Sequence, residues 1–272
     1  MKRFSRQEIK NSFRAVEAQG HPVIIAAAGR GMFAHFAEQG GADMLAFYHG
    51  AYLRVDGIPT IAASMHVGDA NGLNLDMGER LYNVTTKTPV MAGVLCNEGS
   101  RNMVAYLDRL KELGYSAIMN FPSIGWSKFN EGRHISEDMG VGLRSEMELM
   151  DIASDKDMFV CGVPFTVEDA VTLAESKCDA IIYHLGMTNA DKAQSLDDAC
   201  ETIREVTAKV HAVRGDIMMF AAGGPLTTVE AVDYMFKNTE LTGFLADELI
   251  DTLLVSEPMA NVVREFKGQT LQ

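Results

Sequence analysis

The chain has 272 residues, 47% of them hydrophobic and 22% charged, with a formal net charge of −13. That is enough apolar material for a large core and excludes a disordered chain. The acid excess, with no Lys/Arg cluster, excludes nucleic-acid binding, because a phosphate backbone is gripped by clustered cations.

The start, MKRFSRQEIKNSF, is basic but lacks the apolar core of a signal peptide, and residues 5–18 read as an amphipathic helix placed to close a barrel bottom. Eight short apolar runs follow, each trailed by a helical pattern: PVIIAAAG (22–29), DMLAFYH (43–49), PVMAGVL (89–95), AIMNFPS (117–123), MFVCGVPF (158–165), AIIYHLG (180–186), IMMFAAGG (217–224) and GFLADE (243–248). Continuous rather than alternating apolar runs are the mark of parallel strands buried on both faces. Eight βα units predict a closed (β/α)8 TIM barrel in preference to an open doubly wound sheet. No linker or internal repeat divides the chain, so residues 1–272 are expected to form one domain.

No run reaches the roughly 18–20 apolar residues that span a bilayer, so a cytoplasmic protein with no membrane contact is expected. Cys96, Cys161, Cys178 and Cys200 show no CxxC or Cys/His spacing and read as buried reduced thiols. The segments leaving strands two, four and six are long and irregular-looking (49–70, 122–142 and 185–195). In a barrel these share the C-terminal face, which carries active sites.

Candidate chemistry is sought on that face. Gly29 and Gly31 end the first strand, where backbone can approach a ligand and helix amides can meet an anion. Asp69 and Asn71, in GDAN (68–71), read either as a helix cap or as a carboxylate and carboxamide for substrate, general-base work or one ligand of Mg²⁺. Asn120 ends strand four. The loop after it holds Trp126, Lys128, Arg133 and His134, a lid pattern with cations for an anionic substrate. Glu146 and Glu148 open the next helix, where the dipole favours acids in any case. His184 ends strand six, facing the mouth as an acid/base or substrate contact. Gly223 and Gly224 follow strand seven, where barrels often build phosphate sites. Nucleophile-elbow, P-loop and dinucleotide motifs are absent from the sequence.

The succession AAGRG (27–31), GGAD (40–43), GDAN (68–71), TPVMAGV (88–94), GYSAIMNFPSIG (114–125), MGVG (139–142), HLG (184–186) and GGP (223–225) resembles the phosphoenolpyruvate hydrolase-like family. This is the TIM-barrel "signal transduction" family that also supplies the C-terminal domain of the plant Tm-1 resistance protein. The resemblance implies a relative of phosphoenolpyruvate/pyruvate-type barrels, which commonly bind Mg²⁺ and small 2-oxo acids or enol phosphates and form homo-oligomers. Two motifs depart from it. Where relatives carry a Gly-Ala-Ser-Ser-like turn after strand eight, this chain has ADEL (246–249), and MTNADKAQ (187–194) replaces the Gly-rich turn after HLG. Asp247 and Glu248 in place of small hydroxyls argue against phosphoenolpyruvate itself and leave a cation, a basic group or a helix cap as their partner.

The resulting expectation is a Mg²⁺-assisted hydrolase or C–C lyase for a small enolisable or 2-oxo acid. Asp69, Glu146 and His184 are its candidate catalytic groups, with Asp69 also a metal ligand. Gly29, Gly31, Asn71, Asn120, Gly223 and Gly224 are the candidate substrate contacts. The alternative is a non-catalytic ligand-sensing or partner-binding barrel. A Schiff-base isomerase or aldolase is disfavoured, because no strand run contains a Lys.

Overall fold

Each apolar run becomes a parallel strand, and the eight close in chain order. The computed structural model describes residues 1–63, 68–127, 132–187 and 194–270. The strands are β1 (Val23–Ala27), β2 (Met44–Phe47), β3 (Val90–Gly93), β4 (Ala117–Met119), β5 (Phe159–Gly162), β6 (Ala180–His184), β7 (Met218–Ala222) and β8 (Gly243–Ala246). They form one closed barrel in which β1 pairs with β8 through Val23 and Gly243.

The pleat explains why the runs lack alternation. Ile25, Ala46, Met91, Met119, Cys161, Ile182 and Phe220 point inward and form one buried cluster, while Ala26, Leu45, Ala92, Ile118, Val160, Ile181 and Met219 point outward under the helices. Both faces of the strands are therefore buried almost throughout, Ile24 of β1 being partly exposed, and both must be apolar.

The helices are α1 (Arg6–Ala18), α2 (Gly31–Gln39), α3 (His49–Val55), α4 (Thr60–Ala63), α5 (Ala70–Arg80), α6 (Met103–Glu112), α7 (Gly132–Asp138), α8 (Leu143–Asp155), α9 (Val167–Ala174), α10 (Leu196–Val213), α11 (Val229–Asn238) and α12 (Leu254–Lys267). The first of them forms where expected. Ser5 caps it, taking the Glu8 amide while Glu8 returns a 2.7 Å bond to the Ser5 amide. Its apolar side, Ile9 and Phe13, joins the interior cluster, and the Phe13 ring packs 5.5 Å from Phe159 and 6.0 Å from Phe220. Outside that plug, Arg6 and Lys10 hold the buried Asp179 carboxylate at 2.8 and 3.1 Å. The barrel bottom is thus closed by a ring in the core and ion pairs at its edge.

The long outgoing segments are less irregular than the sequence suggests. Residues 49–55 and 60–63 are helical, as are 132–138, and Ile124–Ser127 make a 3₁₀ turn. Among the described residues no helix is long and apolar enough to cross a membrane. All four cysteines are buried free thiols.

Candidate active site

The C-terminal mouth has two unlike walls. One is aromatic. Phe121 beyond β4, Phe165 beyond β5, Trp126 from the 3₁₀ turn and His184 at the end of β6 stack together. His184 lies nearly parallel to Phe121 (6.2 Å, 5°), tilted against Phe165 (4.9 Å) and edge-on to Trp126 (6.4 Å). Tyr48 meets Phe121 edge to face at 5.5 Å. The His184 Nδ1 accepts the Gly186 amide at 3.2 Å, which leaves Nε2 to carry the proton of the neutral ring.

The other wall is charged. Arg54, on α3, grips Asp251 through Nε (2.9 Å to each oxygen) and Nη2 (2.5 Å), and donates from Nη2 to the Tyr48 hydroxyl at 2.8 Å. The pair is sealed, with side-chain exposures of 3% and 0%. Burial works against both charges. It raises the Asp251 pKa despite the guanidinium beside it, whereas on Arg54 the Tyr48 hydroxyl and Asp251 outweigh burial and hold the pKa well above its usual value. Asp247 lies close enough to bear on Tyr48, Arg54 and Asp251, and Glu248 accepts the Thr60 hydroxyl at 2.7 Å. The acidic strand-eight turn is therefore built around a guanidinium, with Glu248 as a brace for α4. Tyr48 and Arg54 carry no sequence signal beyond a lone cation within the apolar AYLRV.

Two sequence candidates meet each other. The Glu146 carboxylate accepts Asn120 Nδ2 (2.7 Å), the Ser123 hydroxyl (2.8 Å) and the Ile124 amide (2.7 Å), while Asn120 Oδ1 takes the Val163 amide (2.7 Å). Both are fully buried and tie the β4 loop to α8 and β5. Burial pushes the Glu146 pKa up to about 7, overriding those three donors, with Asp169 adding to the rise. The folded state therefore holds this proton between about pH 4.5 and 7, where the unfolded chain has lost it. Stability from this group is complete below about 4.5 and falls as pH rises through about 7. Urea unfolding from pH 4.5 to 7.5 is expected to show wild type losing about 3 kcal/mol relative to Glu146→Gln. Parallel profiles would contradict the assignment.

Asp69 sits at the rim, its side chain 58% exposed. It caps α5, accepting the Gly72 amide at 2.7 Å, and its other oxygen is bound by Arg101 Nη2. Asn71 is buried with both amide atoms spent, exchanging bonds with the Leu95 backbone and donating to Glu98 at 2.7 Å. Asn71 thus fixes the β3 loop instead of facing a substrate. A Mg²⁺ ion asks for several oxygens at about 2.1 Å. Waters supply many of them, and among the described residues no group of three His, Cys, Asp or Glu side chains gathers in one place. With Arg101 on Asp69, the donor set does not fit a metal there.

The glycines serve packing. A Cβ on Gly29 would stand 2.1 Å from the Ala51 carbonyl, so Gly29 lets α3 lie against the first turn. Gly31 packs beneath Leu81 and Val84. Gly224 donates its amide to the Gly186 carbonyl (2.9 Å), and Gly223 lies against the His184 ring, both at positive φ. Arg133 is paired with Asp169, while His134 and Glu148 are exposed. Lys128 lies outside the described residues.

The closed eight-stranded barrel is a TIM barrel, a fold it shares with solved enzymes of the phosphoenolpyruvate mutase/isocitrate lyase superfamily. One such structure, 2,3-dimethylmalate lyase, superposes with a TM-score of 0.61 at 13% identity over 96% of this chain and 86% of that one. A phosphonopyruvate hydrolase in complex with oxalate and Mg²⁺ gives 0.62 at 16% identity over 95% of this chain and 88% of that one. The phosphoenolpyruvate hydrolase-like family model matches residues 8–268, and the chain belongs to that family. It is 28% identical to the ToMV susceptible protein tm-1 of Solanum lycopersicum over 94% of its own length and 34% of the tomato protein's. It thus spans about a third of that relative.

Proposed function

We propose that this chain is a cytoplasmic hydrolase or C–C lyase for a small 2-oxo or enolisable acid, acting at the C-terminal mouth with His184 as the acid/base. The observation that carries this reading is the His184 ring, set at the barrel mouth among three aromatic neighbours, with Nδ1 accepting the Gly186 amide so that Nε2 carries the proton of the neutral ring. Nε2 donates its proton to the substrate oxygen that gains negative charge as the bond breaks, and the ring regains a proton from water after product leaves. The aromatic wall keeps water from that centre. Glu146 and Asn120 act as positioning residues that hold the β4 loop carrying Phe121 and Trp126. Asp69 belongs to the rim and takes no part in the bond-breaking step. Membership of the family and a fold shared with hydrolases and lyases support the class of reaction.

The test is incubation with phosphonopyruvate, 2,3-dimethylmalate and related 2-oxo acids, followed by NMR for cleavage products and by calorimetry for binding. Cleavage of any of them supports the enzyme. Tight binding without cleavage favours the second reading, a ligand-sensing barrel. That reading draws on the barrel's being about a third of the larger tomato protein.

We further propose a homo-oligomer. Met259, Val262, Val263 and Phe266 leave an apolar stripe on α12 that is 48–73% exposed. Nearby, a 450 Å³ groove lined by Ile24, Ala26, Phe33, Phe36 and Ile250 opens between α2 and the turn before α12. Light scattering is expected to show an oligomer for wild type and a smaller species for Val263→Glu/Phe266→Glu. A monomeric wild type would refute it.

A further inference from the structure

Two carboxylates from different segments converge at the β3 side of the mouth rim. Asp69 caps α5, and Glu98 follows β3. Glu98 is fixed from three sides: by Asn71 Nδ2 at 2.7 Å, by the Ser100 hydroxyl, and by Arg101 Nε at 3.1 Å to each oxygen. Asn71, locked onto the Leu95 backbone, sets the distance between the two segments. Acids brought together from separate loops and braced by a buried carboxamide are how a protein prepares a place for a hard cation. Here the cation is already present, because the Arg101 guanidinium spans the gap, with Nη2 on Asp69 and Nε on Glu98.

We propose that Arg101 is the built-in cation of this rim, occupying the position between Asp69 and Glu98 that a divalent ion would otherwise take, so that the wild-type chain binds no metal there. A guanidinium in contact with both carboxylates repels an incoming dication and leaves no oxygen lone pairs directed at one centre. The bonds to the acids use only Nε and Nη2. The inference stands apart from the reaction assigned above, since it concerns the occupancy of a carboxylate pair and not turnover.

The test uses Mn²⁺ as the probe, followed by electron paramagnetic resonance on the full chain. Wild type and Arg101→Lys, which keeps a cation between the acids, are expected to leave the free Mn²⁺ signal unchanged. Arg101→Gln is expected to bind one Mn²⁺ roughly tenfold to a hundredfold more tightly than wild type, and adding Asp69→Asn should abolish the gain. Thermal melts confirm that each variant is folded, which a substitution at this partly exposed position should permit. A Mn²⁺ site in wild type that disappears with Asp69→Asn would overturn the proposal. So would a folded Arg101→Gln that gains no binding. Neither result bears on whether His184 drives cleavage.

Discussion

Arg54→Met is expected to lose about 3–5 kcal/mol of stability, because it strands the Asp251 carboxylate in a dry site. The Asp251 side chain has no exposure, and among the described residues its other side-chain bond is a 2.9 Å contact from its neighbour Thr252. Removing the guanidinium also takes the Tyr48 hydroxyl's donor at the foot of the aromatic wall. Stability from this pair is specific to breaking it. Replacing both partners by apolar groups, Arg54→Met/Asp251→Leu, is expected to recover most of the loss, since a buried ion pair and a packed apolar pair of similar volume are often nearly equivalent. Urea unfolding of the two variants is the measurement. A single variant within about 1 kcal/mol of wild type would place the pair in contact with water, contrary to its burial.

His184→Phe is expected to lower kcat by about 10²- to 10⁴-fold, the usual contribution of a positioned acid/base. Phenylalanine keeps a ring of similar volume between Phe121, Phe165 and Trp126, so the mouth stays filled and the melting temperature should move little. It cannot accept the Gly186 amide or exchange a proton. A fall in kcat with KM and stability nearly unchanged separates the proton-transfer role from packing. An unchanged kcat on a cleaved acid would remove His184 from the chemistry.

The strands were the most legible part of the sequence, since burial on both faces forces continuous apolar runs that few other arrangements require. Helix α1 was legible for a local reason, the Ser5/Glu8 capping box ahead of an amphipathic stretch. Helix α3 was not, because DMLAFYHGAYL continues the apolar run of β2, its one Gly (Gly50) falls inside the helix, and the change from strand to helix at Tyr48 is marked by no Pro or capping side chain. At the site, sequence position found residues but not their partners. Asn120, read as a substrate contact, and Glu146, read as a catalytic group, bind each other across 26 residues. Asp69 is the helix cap that its motif allowed. Its neutralising partner is 32 residues away, with no pattern joining the two. Arg54 and Asp251 lie 197 residues apart, a pairing that only barrel closure creates. Contacts made by closure leave no periodic trace in the chain, whereas burial does.

The central claim is that the ring-lined mouth around His184 receives the small acid. Trp126 is the chain's only tryptophan and stands against both Phe165 and His184. Titrating wild type with the acid that calorimetry shows to bind, while recording tryptophan fluorescence, reports on that mouth alone. A saturable change in Trp126 emission with the calorimetric affinity is the expected result. Binding by calorimetry with no change in emission would place the ligand elsewhere on the barrel and contradict the account.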